Sequence, residues 1–275
     1  VSGGGDGILR VWHLGEHCDL RAVAQLTDAH DGKPILSLRY DTDAKLWLSG
    51  GGDGAIRMWR SHDSSDIHVA GQRDNAHDGE WIFTLWYDPR SKVWMSGGGD
   101  KSLHVWRLDG DGDLEAVTHW KRAHTGSIAA LIYEASAQVW LSANGSLRAW
   151  RFDDDHRVLQ EVAQEDEAHG GNQICALGYD AKTKVWLSAG RDGAIRTFRC
   201  HASAVETLGA REKAHGGELV AALNYDDGVQ AWVSTDYAGS CRVWSFSVSV
   251  ELREVEEGEW RLWFNHLGDP WHPQA

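Results

Sequence analysis

Serine, histidine and aspartate recur together along this chain at spacings that invite a catalytic reading. His30, Ser49 and Asp53 are succeeded at the same offsets of 19 and 23 residues by His77, Ser96 and Asp100, and again by His169, Ser188 and Asp192. These types are the nucleophile, base and orienting carboxylate of a hydrolase. A second invitation is LWLSGGGDGAIRMW at 46–59, whose glycines could cradle a phosphate if they opened a helix. The glycines lead instead into AIRMW, an alternation of β-branched, aromatic and polar residues that reads as a strand. Both invitations fail on multiplicity. One active site needs one triad and one cradle, whereas features that return at a fixed period build a repeat architecture.

The period is explicit. The stretches at 1–12, 46–59, 93–106, 139–150, 185–198 and 231–244 are versions of one another. Their closing aromatics are Trp12, Trp59, Trp106, Trp150, Phe198 and Trp244, spaced 47, 47, 44, 48 and 46 apart. Tyr40, Tyr87, Tyr133, Tyr179 and Tyr225 form a second ladder, and Trp47, Trp94, Trp140, Trp186 and Trp232 a third. Each buried indole hides roughly 200 Å², about 5 kcal/mol of transfer free energy as an upper bound, so the ladder tryptophans are assigned to the core.

A chain of 275 residues with 42% hydrophobic residues and 16 tryptophans fits one large repeat domain. The net charge of −14 disfavours nucleic acid and anionic membranes, and suits basic proteins or peptides as partners. Cys18, Cys175, Cys200 and Cys241 show no paired spacing, which reads as free thiols in a reducing, intracellular and cytoplasmic setting, with the nucleus as the alternative. No apolar run reaches the length of a membrane span, and no signal peptide leads the chain. The first residue is Val1, inside a repeat, which predicts a processed product or a piece of a longer protein.

Within 29–73 the order is PILSLRYD, turn, LWLSGG, turn, AIRMWRSH, polar stretch, IHVAGQR: four short strands, a to d, without helical periodicity. Asp-Gly at 53–54 and 192–193 predicts tight hairpins with both central residues at positive φ. Such four-stranded units of 44–48 residues resemble the blades of WD-repeat β-propellers. The opening dipeptide is Ala-His here, at His30, His77, His124, His169 and His215, and the closing one is Trp-Arg or similar.

The resemblance implies an all-β propeller of six blades occupying 1–275, with a truncated seven-bladed form as the alternative. The blades are expected at about 29–73, 76–118, 123–163, 168–208 and 214–253. A closing blade is built by both termini, 1–27 with 258–275. It also implies that the recurrent polar residues form a buried hydrogen-bond network in each blade: His30, Ser49, Asp53 and Trp59; His77, Ser96, Asp100 and Trp106; His124, Ser142 and Trp150; His169, Ser188 and Asp192; His215, Ser234 and Trp244. Departures mark weaker blades. Blade 3 has a shorter turn with Asn144 at the Asp position, blade 4 has Phe198 for Trp, blade 5 has Ala238 at the Asp position, and Glu254 takes the His position of the closing blade. Blades 3 to 5 and the closing blade are therefore expected to open before blades 1 and 2.

In this family, partners often touch the loop before strand a and the residue preceding the strand-b Asp. Carried onto this sequence, the first position gives Lys33 and Pro34, Glu80 and Trp81, Ser127, Asn172 and Gln173, and Glu218 and Leu219, and the second gives Gly5, Gly52, Gly99, Ala143, Arg191 and Tyr237. Trp, Tyr and Arg are the usual hot-spot types, so Trp81, Arg191 and Tyr237 are the leading contacts. The competing reading packs Trp81 on a neighbouring blade and leaves Arg191 solvated.

Other chemistry is set aside. DGDGDL at 109–114 lacks the Gly and Glu of a calcium loop. The histidines show neither helical i,i+4 pairing nor a CxxC companion, so neither metal nor cofactor is expected. Arg10, Arg57, Arg148, Arg196 and Arg242, two before the closing aromatic, recur and are assigned to the blade itself. The expected function is a non-catalytic protein-interaction scaffold. The alternative is a regulatory or substrate-recruiting propeller of a larger protein, such as a ubiquitin ligase, kinase or trafficking factor.

Overall fold

The computed structural model describes residues 1–15, 19–61, 66–201, 204–226, 230–246 and 252–255. The predicted closing strand at 258–273 and Cys18 lie outside these. The described residues form strands and turns and no helix. The closing-blade sheet holds β1 (Ser2–Gly3), β2 (Leu9–Leu14) and β3 (Leu20–Leu26). Blade 1 is β4 (Ile35–Asp41), β5 (Leu46–Gly51), β6 (Ile56–Arg60) and β7 (His68–Arg73). Blade 2 is β8 (Ile82–Asp88), β9 (Val93–Gly98), β10 (Leu103–Leu108) and β11 (Leu114–Trp120). Blade 3 is β12 (Ala130–Glu134), β13 (Val139–Ala143), β14 (Leu147–Asp153) and β15 (Val158–Glu165). Blade 4 is β16 (Ile174–Asp180), β17 (Val185–Gly190), β18 (Ile195–Cys200) and β19 (Val205–Arg211). Blade 5 is β20 (Val220–Asp226), β21 (Ala231–Asp236), β22 (Cys241–Phe246) and β23 (Leu252–Glu254). Every sheet is an antiparallel meander in chain order. The outer strands β11, β15 and β19 run two to three residues past the blade ends expected from sequence.

The chain divides into two compact units, residues 1–144 with 148–162 and residues 145–147 with 163–275. In the first, Leu46, Leu48, Ile56 and Met58 of blade 1 pack with Ile82, Leu85, Trp94 and Trp106 of blade 2. Val93, Met95 and Val105 of blade 2 likewise meet Leu131, Trp140 and Trp150 of blade 3. In the second unit, Leu187, Ala189 and Ile195 of blade 4 pack with Val220, Leu223, Trp232 and Trp244 of blade 5. The tyrosine and second tryptophan ladders are one device. Tyr40 lies opposite Trp47 across β4 and β5, with ring centroids 4.9 Å apart, and the pairs Tyr87–Trp94, Tyr133–Trp140, Tyr179–Trp186 and Tyr225–Trp232 repeat it at 4.6–5.2 Å. Directly opposed aromatics are among the stronger cross-strand pairs. The ladder is not uniformly core: Trp12 is 37% exposed.

Two turns punctuate each blade. Between strands a and b, Asp41 Oδ1 accepts from the N–H groups of Asp43 and Ala44 at 2.8 and 2.9 Å, and Asp180 repeats this with Lys182 and Thr183. The residue closing that turn is left-handed without being glycine: Lys45, Lys92, Gln138, Lys184 and Gln230 have φ of 52–57°. Between strands b and c, Gly54 N donates to Gly51 O at 3.2 Å, and Gly54 has φ 73°. Asp53 is not left-handed. The turn is thus not the expected form with two positive-φ residues, because Asp53 Oδ1 holds Ala55 N at 3.1 Å in an aspartate turn and only the glycine must be left-handed. The DGDGD segment is a hairpin tip, with Asp109 Oδ1 accepting from Asp111 N and Asp113 N at 2.9 Å each.

Candidate functional site

The recurrent polar residues meet inside each sheet. In blade 1, Trp59 Nε1 donates to Ser49 Oγ at 2.7 Å, Ser49 lies 2.6 Å from His30 Nε2, and His30 Nδ1 lies 2.8 Å from Asp53 Oδ1. Because Ser49 already accepts from the indole, its hydroxyl hydrogen goes to Nε2, and Nδ1–H donates to the carboxylate. Blade 2 repeats the chain through Trp106, Ser96, His77 and Asp100 at 2.6–2.7 Å. Burial alone would raise Asp53, but hydrogen bonds from His30 and Arg57 hold it well below the ordinary carboxylate range. His30 and Ser49 have no exposed surface, so the serine is out of reach of any substrate. The triad types therefore satisfy buried polar groups and stitch the His loop to strands b and c.

Blades 3 to 5 vary the scheme. Ser142 joins His124 and Trp150 at 2.7 and 2.8 Å, while Asn144 turns away to donate from Nδ2 to Ser127 O at 2.6 Å. Burial, followed by the Arg148 charge, pushes His124 down to about 3. In blade 4, His169 bonds Ser188 and Asp192 at 2.6 and 2.8 Å, and the fully buried Phe198 supplies no donor. Blade 5 corrects the sequence reading: the acid is Asp236, 3.0 Å from His215 Nδ1 and bonded to Ser240, not the position of Ala238. Ser234 there joins His215 and Trp244 at 2.6 and 2.7 Å, so blade 5 is complete and leaves the set expected to open early. Glu254 is likewise corrected. It lies in β23, opposite Trp244, with Glu254 Oε1 accepting from Arg242 Nη1 at 2.6 Å. The histidine comes eight positions after the residue opposite the closing aromatic, Val69 to His77 and Ala116 to His124, so the matching position is 262, outside the described residues.

The two positions singled out for partners are joined by one backbone bond. Gly52 N donates to Pro34 O at 2.8 Å, Gly99 N to Trp81 O at 2.8 Å, Arg191 N to Gln173 O at 2.9 Å and Tyr237 N to Leu219 O at 3.3 Å. In blade 3, whose turn is short, the Asn144 amide makes this tie. The backbone is fixed and the side chains are left outside. Trp81 is 47% and Tyr237 84% exposed, Lys33, Glu80 and Arg191 are exposed, and Gln173 is half-buried.

In the first unit, a methyl on Gly52 would sit 3.2 Å from Pro34 Cδ and 3.6 Å from Trp81 Cε2. One edge of Trp81 thus leans on blade 1 while the rest stays open, which joins the two competing readings of this residue. Its ring also lies 5.9 Å from Phe83. In the second unit, Arg191 stands beside Cys175. Burial pushes that thiol up, and the Arg191 guanidinium offsets part of the rise. Cys175, Cys200 and Cys241 are free thiols.

Residues 22–60 and 71–107 match the family model of the WD domain, G-beta repeat. The fold is a β-propeller, and two stretches of it match WD repeats. Its six sheets are the blades, five of them with four strands and the closing one with three among the described residues. Similar solved structures have the same fold at low identity. The WD40 β-propeller domain of Doa1 is 21% identical with a TM-score of 0.67, the match covering 92% of this chain and 77% of that one. A chain of the mitotic checkpoint complex is 12% identical with a TM-score of 0.67, covering 92% and 74%. Sqt1 from Chaetomium thermophilum is 14% identical with a TM-score of 0.66, covering 88% and 64%. No curated protein matches the sequence. No helix among the described residues is long and apolar enough to cross a membrane.

Proposed function

We propose that this WD-repeat propeller is a non-catalytic scaffold that holds protein or peptide partners on its loop face, favouring basic segments. The observation that carries it is the backbone tie between the two loop positions. It spends main-chain groups on fixing the loops and leaves Trp81 in one unit, and Arg191 and Tyr237 in the other, facing water on fixed backbone. Pre-organised aromatic and arginine side chains lose little entropy on binding and are the common energetic anchors of interfaces. The net charge of −14 supports electrostatic attraction of basic partners.

The test is affinity capture with mass spectrometry on the unaltered chain, on Trp81→Ala and on Arg191→Ala/Tyr237→Ala. Loss of specific proteins from one variant or the other, with unfolding midpoints unchanged, is expected; an anchor at an interface centre is worth about 2 kcal/mol or more, roughly 30-fold in affinity. Identical capture by all three proteins would remove these residues as the contact surface.

A further inference from the structure

Blade 2 departs from its neighbours at one position. Two residues before the closing aromatic the other blades carry Arg10, Arg57, Arg148, Arg196 and Arg242, each ion-paired to a carboxylate of its own blade. Blade 2 has His104. Its Nε2 lies 3.3 Å from Asp100 Oδ2, and Asp100 Oδ1 lies 2.6 Å from His77 Nδ1. The donor atoms of His77, Asp100 and His104 fall within 4.8 Å of one another, the one such group among the described residues. His119, opposite His104 across β10 and β11, stacks on it at 5.4 Å. A pocket of about 290 Å³, bordered also by Asp78, Lys121 and Arg122, opens onto Asp100 and His104.

We propose that His77, Asp100 and His104 form a site for a divalent transition metal of the zinc type, entered from this pocket. Two imidazoles and one carboxylate are a donor set suited to Zn²⁺ and its neighbours, and unsuited to Ca²⁺ or Mg²⁺, which take oxygen cages. Two ligands about 2.0–2.1 Å from a tetrahedral zinc ion lie about 3.4 Å apart. Asp100 Oδ2 and His104 Nε2 stand at 3.3 Å, so that edge needs almost no movement. The cation takes the place of the His77 Nδ1 proton, which moves to Nε2, so that the ring stays neutral and Nε2–H donates to Ser96. Asp78 and Asp100 offset Lys121 and Arg122 around the pocket, which leaves selectivity to the imidazoles. The fourth position faces the pocket, open to water or to a ligand from a bound protein. In the closing blade and in blades 1 and 4 an arginine at this position pairs with the matching turn aspartate and fills the same place with a cation, while in blades 3 and 5 it pairs with a strand-d glutamate, so the set of donors is peculiar to blade 2. The set is hidden in the sequence because Asp100 and His104 are four apart across a hairpin turn and His77 arrives from a separate loop.

The experiment is calorimetric titration of the metal-stripped full chain with Zn²⁺. The unaltered chain is expected to take up one equivalent tightly. His104→Arg, which installs the residue of the other five blades, is expected to weaken that equivalent by at least about 10–100-fold, the loss seen when even an outer-shell partner is removed. Exposed histidines such as His156 and His201 would bind equally in both. Arg57→His in blade 1 rebuilds the same three donors beside His30 and Asp53 and should add a second equivalent, an arm that remains decisive if His104→Arg does not fold. Absence of a tight equivalent, equal binding by the unaltered chain and His104→Arg, or no gain in Arg57→His would each overturn the proposal.

Discussion

At the scale of single residues, the serine of each blade matters most for its size. Ser49 has one hydroxyl and serves two buried nitrogens, Trp59 Nε1 and His30 Nε2. Removing it leaves both without a partner, and each buried orphan costs about 1–3 kcal/mol. In blade 4 the matching Ser188 serves only His169, because Phe198 has no N–H. Ser49→Ala is therefore expected to destabilise by about 2–5 kcal/mol and Ser188→Ala by roughly half as much. Denaturant unfolding of the two variants checks the ratio; equal losses would mean that the indole bond contributes nothing. The residues of this network are legible in the sequence because they recur at fixed offsets. Asp236 is not, since one acid two positions early in an altered turn breaks the offset while Ser240 bridges the geometry. His104 is inconspicuous because His and Arg share a polar strand position, and only their different donor chemistry separates them.

At the scale of elements, strands and hairpins are readable from alternation and turn residues, and their ends are not, since an outer strand lengthens whenever its neighbour has backbone to offer. The a–b turn is placed by the sequence, but the residue that bends it is hidden. Its left-handed residue is Lys or Gln, types that carry no turn signal, held there by the Asp at the strand end. That conformation costs an L-residue about 1–2 kcal/mol, and glycine adopts it freely at an entropic cost of about 0.5–1 kcal/mol. Lys184→Gly, at φ 57°, is expected to raise stability by about 0.5–1 kcal/mol. A lowered unfolding midpoint for this variant would show that the turn is not strained.

At the scale of the whole chain, stability should fall with acid before any surface carboxylate is neutralised. His124, about 3 when folded against an ordinary 6.5, stays neutral in the folded protein through this range, and burial lowers His169 in the same direction. Between those values the unfolded chain binds more protons, so stability rises with pH through the window and is lost as pH drops below about 6.5. His124 alone accounts for a few kcal/mol across it. Asp53 and Asp192, held low by histidine and arginine partners after burial raises them, deepen the loss below about 4. Thermal midpoints equal at pH 7 and pH 5 would contradict this. The bond between each b–c turn and the carbonyl before strand a carries a consequence for how such a chain diversifies. Positions 191 and 237 discharge their architectural duty through the main chain, so mutation can change the exposed side chain there at little risk to folding. Asn144 discharges the same duty with its side chain and is locked: a library randomised there should return mostly misfolded clones, while one randomised at 191 should not.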